Sequence, residues 1–257
     1  MAETHPCTPT DNVRERLREW FAESPGQLLN RMELDLLGDI LSCVFGYHLL
    51  QVGYIGWRTE ALATSRVRNH VVLDEGAGCS AAVKVRASPG ALPIASDSVD
   101  ALVLVHTLEF ESEPHQVLRE ADRVLIPEGH LVVFTFNPWS PCGLWRLFGT
   151  KSRRVPWCGH FLSQMRLRDW FALLGFEVEA SHGLLYRPPL TNVTVMEKLA
   201  FMERLGQRWW PFMAGVHVTV ARKRVSRLTP IRPRWRPHRS LKAAGLAEPT
   251  TRLAENE

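Results

Sequence analysis

The chain contains no uninterrupted apolar run of about 18 residues, so no membrane span is expected. Cysteine is scarce: there are five, Cys7, Cys43, Cys79, Cys142 and Cys158, an odd and scattered set with no Cys-x-x-Cys pair. That spacing argues against a zinc knuckle and a disulfide framework, and it fits a reducing, cytoplasmic setting. The opening stretch, MAETHPCTPTDNVRE, lacks the basic-then-apolar profile of a secretory leader. There is no Gly-x-Ser-x-Gly elbow and no phosphate loop. His160, His182 and His217 stand at no ligand spacing, so no metal is expected. No internal repeat is present.

Carboxylates are missing from one region. Arg222 to Lys242 holds nine Lys or Arg and no Asp or Glu, so the net charge of +4 leaves the rest of the chain at −5. Four prolines (Pro230, Pro233, Pro237 and Pro249) fall in or just beyond it. Residues 226–257 are therefore expected to form a disordered basic tail. Such a tail could hold nucleic acid or an anionic membrane through phosphate contacts, or simply be solvated. The remaining composition, 45% hydrophobic in 257 residues, suits one large domain with appendages. The expected boundaries are a leader and helix over 1–27, a domain over 28–225, and the tail.

What the chain does contain is organised around 83–138. Val99 to Val105 and His130 to Phe136 are apolar runs rich in Val, Leu and Phe, the composition of strands covered on both faces. Between them Val117, Leu118, Ala121, Val124 and Leu125 share one helical stripe, with Pro114 at its start and Pro127 and Gly129 at its end. Strand, crossover helix and strand make a right-handed βαβ unit. Upstream, helices are expected within 11–22 and 28–44. Strands are expected over 48–53, 70–73 and 82–86, with a short helix over 59–65. Downstream, the pattern gives a turn-rich cover to about 160, a helix over 161–174 stopped by Gly175 and a strand from Phe176. A helix over 193–205, a loop over 207–212 and a closing strand over 215–221 follow.

Leu92-Pro93-Ile94, Ser98-Val99-Asp100, His106 and the run Arg123-Val124-Leu125-Ile126-Pro127-Glu128-Gly129 resemble the second half of a class I S-adenosylmethionine-dependent methyltransferase, of the type-11 kind. The phrase RLRDWFALLGFEV at 166–178 resembles the family's helix before its sixth strand. The resemblance implies an α/β, Rossmann-like fold: a seven-stranded, mostly parallel sheet with helices on both faces. It also implies S-adenosyl-L-methionine as cofactor and a methyltransferase whose acceptor the sequence does not name.

Such a site needs close backbone approach after the first strand, a carboxylate after the second for the ribose hydroxyls, and a polar group beside the third for adenine. The corresponding residues are Gln51, Gly53 and Gly56, then Asp74, then Ser88, with His106 flanking the cofactor. Asp74 follows Gly53 by 21 residues, near the roughly 20 of dinucleotide folds. Gln51 and Ser88 stand where the family usually carries acids, which opens an alternative: a catalytically inactive, scaffold-like descendant. Methyl transfer needs alignment more than any fixed side chain, so no catalytic residue is assigned. His106, Glu109, Glu111 and His115 are candidate bases. Trp139, Trp145, Trp157, Trp209 and Trp210 are an aromatic load able to hold a planar or cationic group or to pack a cover.

Overall fold

In the computed structural model, the described residues are 13–57, 65–74, 84–145, 155–188 and 193–225. Residues 59–64 of the expected helix, the tail, and residues 82 and 83 of the expected third strand lie outside them.

One mixed sheet carries the chain. Its strands are β1 (Phe45–Val52), β2 (Arg66–Leu73), β3 (Lys84–Val85), β4 (Val99–Val105), β5 (Leu125–Phe136), β6 (Phe176–Leu184) and β7 (Val216–Lys223). The order is β3-β2-β1-β4-β5-β7-β6. Six strands have seven or more residues, and β3 is a two-residue edge. Strands β3, β2, β1, β4 and β5 pair in parallel, and β7 runs antiparallel between β5 and β6.

The helices are α1 (Val13–Ala22), α2 (Gly26–Ser42), α3 (Pro114–Val124), α4 (Pro141–Trp145), α5 (Gln164–Leu174), α6 (Val193–Lys198) and α7 (Phe201–Trp209). Alternate strand residues divide between two cores. Leu49, Ala101, Val103, Val105, Phe134 and Val218 meet Leu17 and Phe21 of α1 and Leu29, Leu37 and Leu41 of α2. Leu50, Val52, Leu102, Leu104, Leu131 and Val133 meet Leu118 and Ala121 of α3 and Leu167 and Phe171 of α5. Burial on both faces is why these strands lack polar alternation.

The motif residues in 92–126 hold one another. The Arg123 guanidinium donates to the carbonyls of Leu92 (2.9 Å) and Ile94 (2.8 Å), and the Glu120 carboxylate accepts from the Leu92 N–H (3.1 Å). The Leu-Pro turn is thus clamped to the end of α3. Asp100 accepts from the N–H groups of Tyr47 and His48, both at 2.9 Å, fixing where β1 enters the sheet.

Several boundaries differ from expectation. Ser163 caps α5, its hydroxyl accepting from the Arg166 N–H, so that helix begins at Gln164 rather than Phe161. The 193–205 helix is two helices, α6 and α7. The second continues to Trp209, through residues expected to be loop, and is followed by a 3-10 turn at Pro211–Met213. Gly206 does not stop it because Tyr186 packs against the bare backbone there: an added Cβ would lie 2.3 Å from the ring. Cys158 is disulfide-bonded, which corrects the expectation of reduced thiols at that residue; Cys43 is free.

Candidate functional site

Strand order reverses direction between β1 and β4, the place where an open parallel sheet leaves a crevice beyond the strands' carboxyl ends. Val52 pairs with Leu73 and Leu104, so the residues just after β1, β2 and β4 lie at one level. These are Gly53, Asp74 and the Val105–His106 step.

Gly53 donates its N–H to the Leu73 carbonyl at 2.9 Å and has φ +87°. That backbone state is costly for an L side chain, and a Cβ would sit 2.6 Å from the Val105 carbonyl. The position is closed to any side chain, its Cβ direction already filled by Val105, Thr107 and Arg14. Gly56 has φ +97° and open space where a Cβ would project. Asp74 donates its N–H to the Val85 carbonyl at 3.2 Å, and its residue is only 3% exposed. A buried carboxylate level with a bare glycine is the arrangement expected of a ribose-binding edge.

Gln51 and Ser88 are the other residues assigned contacts near the glycine turn and the third strand. The Gln51 amide is buried and committed at both ends, its Nε2 donating to the Gly53 carbonyl at 3.0 Å and its Oε1 lying 3.2 Å from His70 Nε2. It braces the glycine turn from below. Ser88 is exposed in a turn, its carbonyl accepting from the Ala91 N–H at 3.1 Å.

His106 is fully buried and has φ +43°, an uncommon state for a non-glycine residue. Its Nε2 is 2.9 Å from Glu33 Oε1 and its Nδ1 3.2 Å from Glu109 Oε1. The ring stacks on Phe136 with centroids 4.1 Å apart. Glu109 Oε1 also accepts from the Phe136 N–H at 2.8 Å. Burial alone would lower the imidazole pKa, but the charges and hydrogen bonds of Glu33 and Glu109 outweigh it and raise the pKa to about 9. Burial raises that of Glu33, only partly countered by His106. Arg14 completes the cluster: its Nη1 donates to the His106 carbonyl at 3.1 Å, and its Nη2 lies 3.7 Å from Glu111 Oε1. The guanidinium reaches over Gly53, 3.1 Å from where a Cβ would stand there.

Sequence reasoning missed Glu33 and Arg14, although a signal exists for both. Glu33 falls every fourth residue within the buried stripe Leu29, Leu37, Leu41, and Arg14 shares the buried face of Leu17 and Phe21. A charge on an apolar stripe must find a partner when buried. Glu109, proposed as a base, is locked to His106 and to the Phe136 backbone instead.

The other candidate bases border a second hollow. A cleft of about 280 Å³ opens between the starts of α3 and α5, lined by Glu111, His115, His160, Arg166 and Trp170 among others. The His115 ring rests on Trp170, centroids 4.0 Å apart. Among the tryptophans, Trp157 is buried edge-on against Trp20, while Trp139, Trp209 and Trp210 are exposed; the Trp145 side chain lies outside the described residues. Among the described residues, no His, Cys, Asp and Glu group could hold a metal ion.

Residues 51–133, from Gln51 at the glycine turn to Val133 in β5, match the methyltransferase domain family. The match spans about a third of the chain. The matched segment contains the glycine turn, Asp74 and the His106 cluster except for Glu33 and Arg14. Escherichia coli (strain K12) has a similar protein, the uncharacterized YafS, 42% identical over 137 residues, or 52% of this chain and 55% of YafS. The chain thus spans about half the length of the curated relative it matches.

Among solved structures, an S-adenosylmethionine-dependent methyltransferase of Thermotoga maritima, a possible histamine N-methyltransferase, is similar at 18% identity. The match covers 82% of this chain and 99% of that one, with a TM-score of 0.57. A complex of the Haloferax volcanii Trm112 methyltransferase activator with a putative methyltransferase gives 17% identity, 84% and 99% coverage, and 0.58. The [4+2]-cyclase SpnF gives 20% identity, 86% and 88% coverage, and 0.55. At such identities the likeness establishes the fold alone, and SpnF shows that the fold is not confined to methyl transfer.

Proposed function

We propose that the chain is an S-adenosyl-L-methionine-dependent methyltransferase whose cofactor lies along the Gly53–Asp74 edge. The observation that carries this is the pairing of a bare, positive-φ glycine after β1 with a buried carboxylate after β2 at the same level. These residues fit the group, because the positive φ of Gly53 makes a tight turn straight after β1 and Asp74 can accept from two ribose hydroxyls. When bound, the cofactor supplies a sulfonium-activated methyl group.

The chain's own residues have distinct tasks. Gly53 and Gly56 let the backbone come close, and Asp74 orients the ribose. Arg14, reaching over Gly53, suits the carboxylate of the amino-acid part. Gln51 acts indirectly, holding the Gly53 carbonyl in place, and Ser88 is left to a peripheral adenine contact. His106, with Glu33 and Glu109, sets the floor of the site and ties α2 to the end of β4. Glu111 and His115, beside the second cleft, are the groups positioned to take a proton from an acceptor entering there.

A non-catalytic binding protein on the same fold is the second possibility, favoured by the engagement of both ends of Gln51 within the protein. The basic segment from Arg222 to Lys242 gives that possibility a partner chemistry, the nucleic-acid phosphates, which would weaken steeply with salt. Isothermal titration with S-adenosylhomocysteine separates the two. The transferase predicts micromolar binding that Asp74→Asn weakens at least tenfold; no binding at millimolar ligand would leave the non-catalytic protein.

A further inference from the structure

The segment between β6 and β7 carries an apolar surface that the methyl-transfer chemistry does not explain. Five large side chains there, Phe201, Leu205, Trp209, Trp210 and Phe212, and Trp139 from the loop after β5, are between 44 and 68% exposed. Phe201, Leu205 and Trp209 recur every fourth residue along α7 and so form a single stripe. Trp139 joins them because the Asn137 side chain accepts from the Trp139 N–H at 3.1 Å and donates to the Phe212 and Ala214 carbonyls at 2.7 and 2.8 Å.

The stripe faces outward because the opposite side of α7 is anchored. Gly206 seats the Tyr186 ring, and Glu203 accepts from the Tyr186 N–H at 3.2 Å and from Arg187 Nε at 2.9 Å. This removes the only carboxylate of the 201–213 segment from the outer surface. What remains beside the aromatic stripe is Arg204 and Arg208, both exposed and, among the described residues, without a partner.

A helix whose outer face combines Trp, Phe and Leu with exposed arginines, and no acid of its own, matches the chemistry of an anionic lipid interface. Aromatic rings suit the boundary between headgroup and acyl chain, and guanidinium groups suit its phosphates. A soluble monomer seldom exposes so many adjacent large apolar groups. We infer that α7 and the following 3-10 turn form a peripheral docking surface for anionic membranes, lying in the interface without crossing it. No described helix is long and apolar enough to span a bilayer, which agrees with a surface-lying mode. The location has a consequence. Val216 of β7 pairs with Phe136 at the end of β5, so the segment emerges at the sheet edge that carries Gly53, Asp74 and His106. Docking there would turn that edge toward the lipid. The docking claim stands on the surface alone and does not depend on methyl transfer.

The test is flotation of the full chain with vesicles of phosphatidylcholine alone or mixed with phosphatidylglycerol. Binding should be at least about tenfold stronger to the anionic vesicles. It should fall by about tenfold or more, equivalent to ~1.4 kcal/mol, in Trp209→Ser/Trp210→Ser and in Arg204→Glu/Arg208→Glu. Thermal midpoints of both variants should match the wild type, since these side chains are exposed. Any of the following results would overturn the inference. The wild type fails to float with anionic vesicles, or the Trp209→Ser/Trp210→Ser protein floats as well as the wild type. Alternatively, the tail variant Arg232→Glu/Arg234→Glu/Arg236→Glu abolishes flotation while both α7 variants retain it. A dimer that disperses in Trp209→Ser/Trp210→Ser, with no vesicle binding by the wild type, would mark the surface as a contact between copies and equally refute lipid docking.

Discussion

Raising the pH from 6.5 to 9.5 should destabilise this protein through His106. The imidazole pKa is raised from 6.5 to about 9 in the fold, so folding favours its protonated form. Its stabilising contribution is complete below the unfolded value and is lost as pH climbs through about 9. A rise of that size corresponds to about 3 kcal/mol, at ~1.4 kcal/mol per pH unit. Burial raises the Glu33 pKa too, so its own contribution begins to fade at lower pH, as pH rises past its ordinary value of 4.5. For a domain of this size about 3 kcal/mol should lower the thermal midpoint by roughly 6–12 °C. Urea denaturation at fixed temperature, repeated from pH 6 to 10, reads the free energy directly. Glu33→Gln keeps the shape of the His106 contact but removes one of the two carboxylates, so its loss of stability should end at lower pH and be smaller. A wild-type stability that stays level across the window would refute the argument, as would a slope unchanged by Glu33→Gln.

Other predictions concern backbone and packing. Gly53→Ala must adopt φ +87° with its Cβ 2.6 Å from the Val105 carbonyl, so it should cost about 1–3 kcal/mol by denaturation and abolish S-adenosylhomocysteine binding. Gly206→Ala would thrust a methyl group into the Tyr186 ring and should cost about 1–3 kcal/mol, with a change in near-ultraviolet circular dichroism. Asn137→Ala leaves two carbonyls without their donor and should speed amide exchange around Ala214 and Gly215, with a stability loss of about 1–3 kcal/mol.

Much of this architecture could be read in the sequence because its signals are local. The double-sided strands 99–105 and 130–136 advertise themselves by unbroken apolar composition, and Gly175 stops α5 in a left-handed cap as its type suggests. The break between α6 and α7 was hidden, since the 193–209 segment keeps helical periodicity across it and the fit of Gly206 to Tyr186 depends on residues 20 positions apart. Within the candidate site, Gly53 and Asp74 follow from the spacing of strand ends. The Glu33–His106–Glu109 cluster does not, because its members lie up to 76 positions apart and meet only when α2 packs on the sheet. Gln51 illustrates the same limit: its type and position were evident, but its commitment to His70 and Gly53 is a product of strand register.

The central claim is that the crevice above Gly53 and beside Asp74 receives an adenosyl group. Hydrogen–deuterium exchange with and without saturating S-adenosylhomocysteine addresses it at the level of segments. Slowed exchange in peptides covering 51–57 and 70–74, with little change around 201–213, is the predicted outcome. Unchanged exchange in both of those peptides at millimolar ligand, or protection confined to another part of the chain, would contradict it.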